Sequence, residues 1–216
     1  MEQNNIIEPI VSGNGQYSIL PTESSTSFAK PFIVANTVEA SVSEMKKDHI
    51  IPVFTKDNET LISHTDFIDI TNEVIANVFE NETISSSQVR LSHPIKGRIP
   101  DAKDKPAHLL EDREKTLYYE RMMFVQEISS IREVIDGNEL SLTVGGVKSY
   151  NQDNLYSRSL CDQHFKVFIG FQNKVCSNLC IWTDGYMDDI KVKNPGQLKA
   201  AIRSLVEGYN KNFHLF

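Results

Sequence analysis

The sequence predicts an α+β fold: antiparallel β-hairpins form a twisted sheet and helices pack on one of its faces. Three observations carry this expectation. Apolar residues recur at helical spacing in two stretches, 63–81 and 194–211, and almost nowhere else. Runs rich in β-branched and aromatic residues, above all "TLYYERMMFVQEISSIREVI" and "FKVFIGF", are punctuated by turn signals such as Asp136-Gly137-Asn138 and Gln172-Asn173. A chain of 216 residues with 40% hydrophobic content is long enough to bury one sizeable core without a disulfide or metal.

The elements follow in order. Residues 1–30, rich in Asn, Ser, Thr, Gln and Gly, are read as a flexible arm. Residues 31–216 are read as a single domain, beginning with a helix–hairpin–helix block over 31–88. Asn36, three residues before Glu39, has the spacing of a capping box and predicts a short helix. "IIPVFTKDNETLIS" predicts two short strands around Lys56-Asp57-Asn58. A helix follows, capped by Ser63 or Thr65, with Phe67, Ile70, Val74, Ile75, Val78 and Phe79 along its stripe. Residues 89–112 are a basic, proline-rich loop, and 113–216 supply the sheet and a closing helix. In that part "TLYYERMMFVQEISSIREVI" is one long strand. "ELSLTV" returns from it with Leu140, Leu142 and Val144 on one face, and Gly145-Gly146 ends or bulges the return. "FKVFIGF" aims Phe165, Val167, Ile169 and Phe171 to one side, and "KVCSNLCIW" is the strand after it. Asn194 and Pro195 cap and open the last helix, whose stripe is Leu198, Ala201, Ile202, Leu205, Val206 and Tyr209.

Composition narrows the function classes. No apolar run approaches the roughly 20 residues of a membrane span, and the N-terminus lacks a secretory pattern. Three cysteines, an odd number, favour a reducing compartment, so a cytoplasmic protein with no membrane partner is expected. The net charge is -7, yet it is unevenly spread. Residues 31–89 hold ten acidic side chains against three basic ones, while 90–108 hold Arg90, Lys96, Arg98, Lys103 and Lys105 against only Asp101 and Asp104.

That basic loop is the candidate site. Pro94, Pro100 and Pro106 fix φ and resist helix and central strand, predicting an extended excursion able to show its cations to phosphates at small ordering cost. Arg90 and Arg98 would give forked contacts, Lys96, Lys103 and Lys105 point charges, and His93 lies among them. Tyr118 and Tyr119 just beyond are possible stacking faces for bases. The competing reading is an exposed connector paired with the acidic segment 31–89 of the same chain. Cys161-x-x-His164 and Cys176-x-x-x-Cys180 have the residue types of a zinc site. On one strand, however, Cys176 and Cys180 would stand about 13 Å apart, so they are expected as buried small hydrophobes holding no metal. Nucleotide-binding, metalloprotease and serine-hydrolase motifs are missing, no catalytic residue or cofactor is assigned, and an enzyme is not expected. Asp101-Ala102-Lys103 and Asp189-Ile190-Lys191 keep a metal-dependent nuclease as a minor alternative. Asp184, Asp188 and Asp189 are read as turn residues.

The ordered blocks "IPVFTKDNETLISH", "VRLSHPIKGRIPDAKDKPA", "YYERMMFVQEI", "LTVGGVKSYN", "KVFIGFQNKVCSNLC" and "TDG" resemble an uncharacterised family carried by phages, prophages and plasmids of Bacteroidota. That family looks related to the broader "phage/plasmid-like" proteins. The resemblance covers about residues 30–213 and implies a short form of a longer family. It supplies no catalytic residues. It implies a mobile-element protein in a bacterial host, and with it a counter-defence, anti-CRISPR-type inhibitor. Such an inhibitor would act on an RNA-guided effector, of the RNA-targeting type VI class, or on its guide RNA. The expected partner is then RNA or a host ribonucleoprotein. The alternative is a protein that binds or anneals single-stranded nucleic acid, including single-stranded DNA, for replication or recombination of the element.

Overall fold

The computed structural model describes residues 31–34, 36–48, 61–153 and 162–213. The expected N-terminal arm, the hairpin around Lys56-Asp57-Asn58, and Cys161 lie outside them. In chain order the elements are β1 (Phe32–Ile33), β2 (Val38–Ala40), α1 (Val42–Asp48), α2 (His64–Val78), β3 (Gln88–Leu91), β4 (Pro94–Arg98), β5 (Lys115–Tyr119), β6 (Arg121–Ile135), β7 (Asn138–Ser149), β8 (Gln163–Gly170), β9 (Asn173–Cys176), β10 (Ile181–Thr183), β11 (Tyr186–Val192) and α3 (Pro195–Phe213). The fold is α+β.

Six strands form the main sheet in the order β11-β8-β7-β6-β3-β2, every neighbour antiparallel. β6 and β7 are joined through Asp136 and Gly137, both at positive φ (51° and 78°), the two-residue geometry that matches strand twist. The register of this hairpin shifts between Ile128 and Arg132, where Ile84 bridges to Ile128 and Ser129 N–H donates to the Thr83 carbonyl. Gly145 and Gly146 do not end β7; the strand runs through them. A side chain has no room at either, because sheet neighbours crowd Gly145 and the α2 ring of Phe67 crowds Gly146. A Cβ on Gly145 would lie 2.4 Å from the Phe124 carbonyl oxygen and one on Gly146 2.6 Å from the Phe67 ring.

Strand alternation sorts the side chains into two cores. Met122, Phe124, Ile128, Leu142, Val144, Phe165, Val167 and Ile169 meet Phe67, Ile68, Val74 and Ile75 of α2 and Leu198, Ile202 and Val206 of α3. On the opposite face Met123, Val125, Val147 and Phe168 are covered by Phe32 and Val175 of a small three-stranded sheet, β1-β9-β10, which composition did not reveal. Ser63 caps α2 in a full capping box with Asp66. The Asn194 side-chain oxygen takes the Gln197 N–H at the start of α3. The capping box expected at Asn36 is a correction: Asn36 sits at φ 54°, and the helix instead starts behind Ser41, which pairs with Glu44. Replacing the fully buried Ile202 by Ala is expected to cost about 2–5 kcal/mol in a denaturant melt. An unchanged midpoint would place the α3 stripe in solvent.

Candidate nucleic-acid interface

The stretch 89–112 is not one extended excursion. Residues 88–91 are β3 inside the main sheet, and 94–98 pair with 115–119 as a separate two-stranded ribbon, β4–β5. The prolines explain why a ribbon is compatible with the sequence. Pro94 begins a strand, Pro100 opens one 3-10 turn and Pro106 precedes another, all places where a missing N–H costs little. The ribbon makes its main contacts within itself and ends in a tip of three short 3-10 turns, over 100–102, 107–109 and 112–114.

Directly opposed residues of an antiparallel pair share a face. Lys96 stands opposite Leu117 and Arg98 opposite Lys115, which puts Lys96, Arg98 and Lys115 on one side of the ribbon. Lys115 was not among the sequence candidates, because only pairing brings it there. Arg98 donates to the Lys105 carbonyl, and the Lys105 ammonium reaches Glu114 at 2.7 Å and Glu111 at 3.8 Å. These ties brace the tip. The hydrogen bond from Lys105 holds the Glu114 carboxyl below its ordinary range, helped by the Glu111 backbone N–H. Lys115 does the same for Asp112, 2.7 Å away. Lys96 and Lys103 are exposed and make no ion pair among the described residues. Leu109 is 54% exposed at the tip.

The remaining candidates are placed elsewhere. Arg90 belongs to β3, where its guanidinium donates to the Thr37 hydroxyl and carbonyl, both at 2.9 Å, and lies 3.9 Å from Glu39. It therefore ties the sheet to the acidic segment and is not brought to the ribbon. His93 is exposed at the ribbon base. Tyr118 is on the opposite face from Lys96 and turns edge-on to Tyr150, with centroids 6.2 Å apart. Tyr119 packs against the helix-covered core, and its carbonyl bonds His64 Nε2 at 2.8 Å. Of the two rings, only Tyr119 is on the ribbon face that carries Lys96, Arg98 and Lys115, at its base end.

Cys176 and Cys180 do not lie on one strand and are not buried: β9 ends at Cys176, a turn follows, and the cysteines are half-buried and exposed. Asp188 and Asp189 are strand residues of β11. Asp184 is a turn residue whose carboxylate takes the N–H groups of Phe171 and Gln172. Among the described residues no three His, Cys, Asp or Glu side chains gather closely enough to hold a metal ion. No described helix is long and apolar enough to cross a membrane.

One feature beneath the ribbon base escaped the sequence reading. Lys148, on the helix-covered face of β7, is fully buried with its ammonium 2.6 Å from Asp153, itself buried, and 4.0 Å from the Phe165 ring centroid. The second Asp153 oxygen accepts the His164 N–H at 2.8 Å. Burial pulls the lysine below its ordinary pKa against the opposing pull of Asp153. Desolvation likewise pushes the neighbouring Tyr150 phenol up.

Fold and site together define a mainly antiparallel α+β protein that carries a braced, cation-bearing ribbon outside its main sheet. Over residues 15–216 the chain matches the family described as "Domain of unknown function, B. Theta Gene description (DUF3871)", and it belongs to that family. Among curated proteins and among solved structures, nothing matches it.

Proposed function

We propose that this is a mobile-element-encoded, non-enzymatic binding protein. It docks the tip of its β4–β5 ribbon on a host RNA-guided effector of the RNA-targeting class, or on that effector's guide RNA, as a counter-defence inhibitor. The observation that carries the reading is the composition of the ribbon's exposed surface. Lys96 on the ribbon and Lys103 in its tip are unanswered by acids among the described residues, and the apolar Leu109 is exposed at that tip. A mixed cationic and apolar tip suits a surface that offers both phosphates and protein. Bare single strands are usually held by aromatic rings stacked on bases beside the cations; here Tyr118 is on the opposite face of the ribbon, and Tyr119, on the cations' face, is partly buried against the core. The internal ties of Arg98 and Lys105 hold the tip in one shape, which lowers the ordering cost of docking. The habitat comes from the family resemblance.

The test is capture from host cells with the tagged chain, followed by mass spectrometry and RNA sequencing. The expected result is an effector with its guide, captured by the wild type and lost when Leu109 is replaced by Asp. Equal retention of bare RNA or single-stranded DNA by both proteins, with no protein partner, would replace this reading with single-strand binding or annealing.

A further inference from the structure

Cys176 and Cys180 face each other across a hairpin, and no part of the proposed function uses them. Ile181 pairs with Val175, so the next rung outward pairs Cys180 with Cys176. The Cys176 N–H donates to the Cys180 carbonyl at 2.9 Å, and the Leu179 N–H donates to the Cys176 carbonyl at 3.0 Å. This is a three-residue loop with its last residue, Leu179, at φ 66°. A leucine in left-handed backbone is strained, and it is held there from several sides. Its side chain packs on the second core, Lys166 Nζ donates to its carbonyl at 3.1 Å, and Arg121 donates to the neighbouring Asn178 side chain. Opposed residues joined by such a bond have Cα atoms about 5.5 Å apart, inside the roughly 4.4–6.8 Å span of disulfides. Both sulfurs also turn toward one residue: Asn178 N–H donates to Cys176 Sγ at 3.4 Å, and Cys180 Sγ–H donates to the Asn178 carbonyl at 3.8 Å.

We propose that Cys176 and Cys180 are a dithiol site that closes to a reversible cross-strand disulfide by exchange with a low-molecular-weight disulfide such as oxidised glutathione. The exposed Cys180 thiolate attacks one glutathione sulfur, breaking that S–S bond and expelling a glutathione thiolate. The Cys176 thiolate then attacks the Cys180 sulfur and expels the second one. The two cysteines lose two electrons and two protons, and one oxidised glutathione becomes two reduced molecules.

The experiment uses the full chain with Cys161→Ser, equilibrated across a series of reduced-to-oxidised glutathione ratios, acid-quenched and alkylated with N-ethylmaleimide. Trypsin cutting after Lys174 and Lys191 leaves both cysteines in one peptide. That peptide is expected to pass in one step from two alkylations to none, lighter by two hydrogens. Trp182, the chain's single tryptophan and two residues from Cys180, is expected to change emission in parallel. With Cys176→Ser added, Cys180 should instead carry one glutathione. In urea the internal bond should be about tenfold or more weaker relative to glutathione, because only the folded hairpin aligns the thiols. Two thiols alkylated at every ratio, separate glutathione adducts on each, or equal equilibria folded and unfolded would overturn the proposal.

Discussion

Replacing Asp153 by Ala is expected to destabilise the protein by about 3–5 kcal/mol, a large part of the roughly 5–15 kcal/mol that holds a domain together. Lys148 and Asp153 are both shut away from solvent, and the ammonium has the Phe165 and Tyr150 rings around it at 4.0 and 5.2 Å. Removing the carboxylate strands a charge in a low-dielectric site and also deprives the His164 N–H of its acceptor. Burial already holds the lysine below its ordinary pKa of 10.5. Between the folded and unfolded values the unfolded chain binds more protons, so stability from this group rises with pH there. Without Asp153 the folded value drops further, and the penalty should shrink as the solution is made mildly alkaline and the amine sheds its proton. Replacing both residues, Lys148→Met with Asp153→Leu, should cost much less than Asp153→Ala alone. Urea melts at neutral and alkaline pH check all three statements. An Asp153→Ala midpoint equal to wild type would mean that water reaches the pair.

Phe67→Ala is expected to cost about 3–5 kcal/mol for a different reason, the cavity left under α2. The Phe67 ring is fully buried and edge-on to Phe124 and Phe165, with centroids 5.1 and 4.9 Å away. It also fills the space that Gly146 leaves. Gly146→Ala should therefore be destabilising alone, since its Cβ would come within 2.6 Å of that ring and 2.8 Å of the Lys166 carbonyl oxygen. In the Phe67→Ala background the Gly146→Ala penalty should fall without vanishing, because the backbone clash remains. Strict additivity of the two changes would contradict the packing described.

Local signals were legible where they carried their own geometry. The stripes of Phe67, Val74 and Ile75 and of Leu198, Ile202 and Val206 named the helix faces that reach the core. Asp136-Gly137 named the turn from β6 to β7, and Asn194-Pro195 the start of α3. The reading failed where pairing between distant strands decides the outcome. "KVCSNLCIW" is apolar enough to read as one strand, yet Ser177 and Asn178 are turn formers, and the chain turns there with Leu179 held by Lys166 and Asn178 by Arg121. Lys148 looks like a surface residue in "GGVKSY" until Asp153 is folded back beside it. The basic stretch is legible in the sequence, but its division is not. Arg90 is a structural tie, Arg98 and Lys105 are braces, and Lys96 and Lys103 are exposed without ion pairs among the described residues, because strand pairing separates side chains that the sequence lists together.

The central claim is that the ribbon and its tip meet phosphates through Lys96 and Lys103. Its most direct measurement is the salt dependence of binding to the captured partner, or to its RNA, for wild type and for Lys96→Glu with Lys103→Glu. Arg98 is left in place so that the brace of the tip survives. If both lysines meet single-stranded phosphates, they contribute about -1.4 to the slope of log affinity against log salt, from about 0.7 each. The double variant should bind more weakly, lose that part of the slope and melt at the wild-type temperature. Unchanged affinity and slope would contradict the account, and only a lower melting temperature alongside them would make these lysines internal ties.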